Sequence, residues 1–189
     1  VLDRYLAIGG NTIDTAHIYC GGESEVAIGM WLKERNNRED IVILTKGAHH
    51  DQNGPRVNPE AIRQDLFESL ERLGTDYIDL YALHRDDPDV PVGEIIDALN
   101  EHIEAGRIKA IGGSNWTTER IQAANEYATA NNLVGFSFSS PNLSLAKANE
   151  PFWKGCVSTD SDDKNWHEET QLPLLSWSSQ ARGFFTGRF

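Results

Sequence analysis

Four residues able to move or hold a proton stand at or just beyond short apolar runs of this sequence. Asp14 lies in Thr12–Thr15 and Tyr19 follows it, Lys46 follows Ile41–Thr45, and His84 follows Tyr77–Leu83. Ser114-Asn115 and Trp177-Ser178 take the same place after two later runs. Each alone has an ordinary explanation: a loop cap, a half-buried aromatic, or a lysine reaching to the rim. Together they suit one reaction. A carbonyl that accepts a hydride must also take a proton, and a tyrosine hydroxyl supplies it only where its anion is tolerated. Lys46 near Tyr19 would stabilise that anion. A buried lysine needs a counter-charge, which Asp14 can provide. His84 can hydrogen-bond the carbonyl and set its direction.

The elements that must position these groups are legible from two alternating periods. Runs at Thr12–Thr15, Ile41–Thr45, Tyr77–Leu83, Ile108–Ile111, Val134–Phe138 and Leu172–Trp177 are apolar at nearly consecutive positions. That is how strands covered on both faces read. Between them, Ile62, Leu66, Leu70 and Leu73 recur at helical steps behind an Asn58-Pro59 start signal and before Gly74. Ile95, Ile96, Leu99 and Ile103 do the same before Gly106. Ser24 is expected to cap a helix through Leu32, and Thr117 or Thr118 another through Ala128. The chain opens in a helical pattern closed by Gly9-Gly10, and 145–171 reads as a long mobile excursion.

Strand alternating with helix means parallel units with right-handed crossovers. No strand is followed by a GxGxxG or GxxxxGK[ST] loop, and polar residues recur at strand after strand, which favours a barrel over a doubly wound sheet. The expected fold is therefore α/β, a parallel (β/α)8 TIM barrel. With six strands visible, it reads as incomplete in this chain: one domain over residues 1–189 lacking the first and last barrel strands, with sheet edges left unpaired.

The motifs at the strand ends resemble those of the aldo-keto reductase family, bacterial-type. They are Asn11 to Tyr19 (Asn-Thr-Ile-Asp-Thr-Ala-His-Ile-Tyr) with Gly21 to Glu25, Ile43 to Lys46, Tyr77 to His84, Gly106 to Asn115, and Ser176 to Gly187. The resemblance implies the barrel, a nicotinamide cofactor, and a tetrad of Asp14, Tyr19, Lys46 and His84. It further implies that Ser114 and Asn115 bind the carboxamide, that Trp177 stacks on the nicotinamide ring, and that Ser178, Gln180 and Gly183 lie along the pyrophosphate. The cofactor so implied is usually NADPH, with NADH not excluded. Where the family has a carboxamide-gripping Gln, this sequence has Ser140; where it commonly has Pro after the aromatic-Ser pair, it has Ser179.

A net charge of −12 argues against nucleic acid as a partner. No apolar run reaches the roughly 20 residues that span a bilayer. Cys20 and Cys156 form no CxxC pair. The expectation is a reduced, cytoplasmic protein whose partner is a small carbonyl substrate, its pocket walled by Cys20, Arg85, Asp86 and Trp116. Three alternatives stand beside it: a metal-dependent hydrolase using Asp14, His17, His49, His50 and His84; a nucleotide-binding regulatory or sensing subunit with little turnover; and a chain inert because two barrel strands are missing, expected to bind cofactor poorly and unfold easily.

Overall fold

In the computed structural model, which describes residues 1–187, the expected alternation resolves into six helices and five strands. In chain order they are α1 (Leu2–Ala7), β1 (Thr12–Asp14), α2 (Glu23–Arg35), β2 (Val42–Gly47), α3 (Pro59–Leu73), β3 (Ile78–Leu83), α4 (Val92–Glu104), β4 (Ile108–Ser114), α5 (Thr118–Ala130), β5 (Phe138–Ser140) and α6 (Ser161–Thr170). The strands pair in parallel in the order β1-β2-β3-β4-β5. A doubly wound sheet reverses its strand order at a switch point, whereas this one never does; sequential order is the arrangement of a curled half-barrel.

Register explains why the chemistry collects on one side. Asp14 pairs with Leu44, Lys46 with Ala82, Ala82 with Gly112 and Ser114 with Ser140. Side chains alternate faces along a strand, so these positions share one face, and His84 joins it two residues beyond Ala82. Leu44, Ala82 and Phe138 pack together there. The Phe138 ring occupies the space that a side chain at Gly112 would need. The opposite face carries Ile13, Ile43, Tyr81, Leu83 and Ile111, buried beneath the helices with Ile62, Leu66, Ile95, Ile96 and Leu99. Burying such aliphatic side chains is worth about 1.5–3 kcal/mol each, which makes this layer the main source of stability.

Local signals account for most helix ends. The Asn58 side chain accepts from the Ala61 amide at 2.9 Å, and Gly74 closes α3 at φ 65°. Thr117, rather than Thr118, caps α5 by accepting from Arg120 N at 3.3 Å. Ser24 does not cap α2: left-handed Gly22 holds that position, and the Ser24 hydroxyl bonds Thr15 Oγ1 at 2.9 Å instead.

Three expectations need correction. The fifth strand lies at 138–140, not 134–138. Asn100 bonds both the N–H and the carbonyl of Val134 (2.9 and 3.0 Å), and Asn125 does the same for Phe136 (2.6 and 3.1 Å), so side-chain amides take the bonds a ladder would use. Leu172–Trp177 runs parallel beside β5 only as isolated bridges, Ser139 to Leu174 and Asn142 to Trp177. Pro173 has no N–H to offer a continuous ladder. Within 145–171 the structure has α6, started by a capping box in which Asp160 accepts from the amides of Asp162 and Asp163 while Asp163 accepts from Asp160 N. Asp in place of Glu or Gln at the third position hid that signature. No helix among the described residues is long and apolar enough to cross a membrane.

Candidate active site

The four proposed proton-handling residues converge from three strand ends and one loop. Lys46, buried at the end of β2, directs Nζ to the Asp14 carboxylate and, at 2.9 Å, to the Thr15 carbonyl. The same Nζ lies 5.3 Å from the Tyr19 ring centroid. Tyr19 is 40% exposed and opens a tight turn, Tyr19–Gly22, in which Cys20, Gly21 and Gly22 all have positive φ. That turn brings the tyrosine back over the strand ends immediately after β1. The His84 amide donates to Gly47 O at 2.8 Å, continuing the β2–β3 ladder, and the His84 ring meets Tyr19 edge-on at 5.6 Å.

Tyr19, Lys46 and His84 line a cavity of about 410 Å³ together with Ser114, Asn115, Trp177 and Ser178, while Asp14 stands behind Lys46 and off the lining. Gln180 and Gly183 do not line it; they lie in and beside the following turn, Ala181–Thr186. Asn115 is held in a left-handed conformation, φ 61°. Its amide is already engaged: Nδ2 donates to the His84 carbonyl (3.2 Å) and Ser114 Oγ (3.1 Å), and Oδ1 accepts from Val157 N (3.2 Å). Ser114 Oγ donates to Ser140 O at 2.9 Å. Among the described residues the Ser140 hydroxyl and Trp177 Nε1 are buried without hydrogen-bond partners; Trp177 lines the cavity, whereas Ser140 lies behind its lining.

Electrostatics sharpen the role of His84. Burial first, then the Lys46 charge, lower its pKa to about 2, so the ring is neutral through the physiological range. Among the described residues its Nδ1 is buried without a hydrogen-bond partner. An unfolded His takes a proton near pH 6.5, which the folded one refuses until about pH 2. Stability from this group is therefore intact above about pH 6.5 and falls as pH drops below it, by up to about 1.4 kcal/mol per unit. Between pH 6.5 and 5 the parent chain should lose about 2 kcal/mol more than His84→Asn in urea melts. Equal losses would mean that His84 is not held neutral.

Other expected residues fall elsewhere. Trp116 is core: it is 1% exposed, packs edge-on against Phe136 at 5.0 Å and donates Nε1 to the Arg85 carbonyl. Cys20 is exposed and off the cavity. Asp86 is claimed by Arg120, at 2.9 and 3.1 Å. Of the histidines, His17 leaves the group, its Nε2 bonded to Glu68 at 2.8 Å on the helix side. His49 stays, 4.7 Å from His84 and edge-on. Among the described residues no three His, Cys, Asp or Glu side chains are disposed to hold a metal ion.

Sequence reasoning missed Trp153 and Cys156, which reach the cavity from the long connection after β5. It also missed the buried polar layer behind β2. There Thr45 Oγ1 donates to Glu25 (2.6 Å), Arg72 bonds Glu25 and the His17 carbonyl, and Asp65 accepts from the Ala48 amide (2.8 Å). Its visible sign was two polar residues, Asp65 and Ser69, on the otherwise apolar buried face of α3.

Against this geometry the comparisons are consistent. The model of the aldo/keto reductase family matches residues 1–188. Aldo-keto reductase YhdN of Bacillus subtilis is 37% identical over 179 residues, covering 93% of this chain and 50% of that protein. Norsolorinic acid reductase B of Aspergillus parasiticus is 37% identical over 145 residues, covering 72% of this chain and 38% of its own length. A solved glycerol dehydrogenase from Gluconobacter oxydans superposes with a TM-score of 0.80 at 26% identity, over all of this chain and 55% of that one. The chain thus spans about half or less of the length of these relatives. With the family pattern running from residue 1 to 188 and the sheet in sequential parallel order, the chain belongs to the aldo/keto reductase family.

Proposed function

We propose that this chain carries the site of a nicotinamide-dependent carbonyl reductase, within a single barrel domain over 1–189, and that Tyr19 is its proton donor. The observation that carries the reading is the placement of Lys46. Its buried ammonium is held between the Asp14 carboxylate and the Thr15 carbonyl, 5.3 Å from the Tyr19 ring. A fixed positive charge there stabilises the anion Tyr19 leaves when it gives up its proton. Asp14 keeps that lysine in place and offsets its burial. Neutral His84 donates a ring N–H to the carbonyl oxygen, setting its direction without competing as the acid.

NADPH fits as the cofactor, held by Ser114, Asn115, Trp177, Ser178, Gln180 and Gly183, and when bound it supplies the hydride. Trp177 gives the ring an apolar face, while Ser114, which lines the same cavity, provides a polar contact. Cofactor chemistry and turnover are tested separately. Tryptophan fluorescence should be quenched on titration with NADPH, and less so in Trp177→Ala. The bound cofactor should then be oxidised by aldehydes in steady state. Absence of quenching by both NADPH and NADH would end this reading. Quenching without oxidation by any aldehyde would favour a nucleotide-binding regulator. The relative titration midpoints of NADPH and NADH decide which serves.

A further inference from the structure

A second cavity, of about 270 Å³, adjoins the first and shares His50 and Arg85 with it. Its other charged lining residues are Arg56, Asp86 and Lys154. Most of this charge is already matched. Arg56 pairs with buried Asp65 at 2.8 Å and has half-exposed Asp51 at 4.0 Å, while Asp86 pairs with Arg120 at 2.9 Å. Arg85 and Lys154 are different: among the described residues neither has a carboxylate partner within ion-pair distance. The Arg85 guanidinium donates from Nη1 to the adjacent His84 carbonyl at 2.8 Å, and its Nε is buried without a hydrogen-bond partner among the described residues. A buried guanidinium N–H without an acceptor costs about 1–3 kcal/mol, so the fold holds Arg85 at the two cavities without fully satisfying its donors. This happens in a chain of net charge −12, where a stray surface cation would more readily have found a carboxylate.

Arg85 directly follows His84, the residue that meets the carbonyl, and it lines both cavities. We infer that the substrate carries an anionic group, a carboxylate or a phosphate, which enters the second cavity and is held by Arg85 with help from Lys154 while its carbonyl lies at Tyr19 and His84. A guanidinium suits this task because it offers paired, fixed donors to such an anion. The inference rests on the reductase reading for the position of the carbonyl, and on its own observations for the anion.

The test compares 4-formylbenzoate with its methyl ester, a pair that differs in the charge. Each is titrated calorimetrically into the chain with and without NADP⁺, where no turnover occurs. The acid should bind at least about tenfold tighter than the ester, the effect of one charge-assisted bond. Added salt should weaken the acid alone. Arg85→Met should remove most of the difference while leaving ester affinity unchanged, and Lys154→Met should remove a smaller part. Equal binding of acid and ester by the parent overturns the inference. So does an Arg85→Met variant that weakens both alike, since that is a structural effect. Comparing 4-formylphenyl phosphate with 4-formylbenzoate then identifies the anion, the tighter ligand naming it. Failures of the two readings separate cleanly. Acid-over-ester preference with no NADPH-dependent reduction of either aldehyde keeps the anion site and removes the reductase. Reduction of both aldehydes with no preference does the reverse.

Discussion

Tyr19→Phe is expected to lower NADPH-dependent aldehyde reduction by at least about 100-fold, the lower end of what a positioned general acid supplies. NADPH-induced fluorescence quenching should be unchanged. The substitution removes one oxygen from a ring that is 40% exposed, and among the described residues the Tyr19 hydroxyl makes no hydrogen bond whose loss would cost stability. Loss of rate with intact cofactor binding therefore isolates proton donation from folding. Lys46→Met would be a poorer experiment, because it also strips Asp14 and the Thr15 carbonyl of their donor. Parent-level reduction by Tyr19→Phe would show that the proton comes from another group.

The largest stability effect is expected at Asp65, which lines neither of the two cavities. Its side chain is 1% exposed. It accepts from the Ala48 amide at 2.8 Å and from both terminal nitrogens of Arg56, at 3.2 and 2.8 Å. The carboxylate in turn holds the Arg56 pKa above its usual value. Ala48 is fixed at φ 55°, and Arg56 also donates to the His49 carbonyl at 3.2 Å. Asp65 thus pins the segment that carries His49 and His50 to the cavity. Asp65→Ala leaves the largely buried Arg56 guanidinium with only half-exposed Asp51, at 4.0 Å, as a counter-charge and the buried Ala48 amide unpaired, a loss of about 3 kcal/mol that should lower Tm by on the order of 10 °C. Asp65→Asn keeps an acceptor for Ala48 and should lose less. The double variant Asp65→Ala with Arg56→Met should recover part of the loss, a coupling that urea melts on all four chains would measure. A loss below about 1 kcal/mol for Asp65→Ala would show that water replaces the carboxylate.

The expected strands and helices appear where hydrophobic period and caps were strong. α3 and α4 carry regular apolar stripes, and β2 and β3 are consecutive apolar runs; each of these signals depends only on neighbours in the chain. The same locality explains the errors. Val134 and Phe136 have strand-like side chains, yet Asn100 and Asn125, contributed by two helices, take their backbone bonds. Their sequence separations of 34 and 11 residues put that competition beyond any local pattern. Trp116 was placed beside the site because it follows Asn115, but one step along a chain turns a side chain to another environment, here the Phe136 contact.

Asp14, Tyr19, Lys46 and His84 were legible because strand ends in a parallel α/β chain gather at one rim, so type and position at those ends suffice to nominate a site. What residue order could not contain is distance and solvent. Only the tertiary structure decides that the lysine ammonium lies between Asp14 and Thr15 and that burial keeps His84 neutral. It likewise decides that Asn115 is engaged by Val157, 42 residues away, and that Arg85 retains an unpaired donor between two cavities. Each of these depends on which groups exclude water from one another, and that is settled by packing between segments distant in the chain.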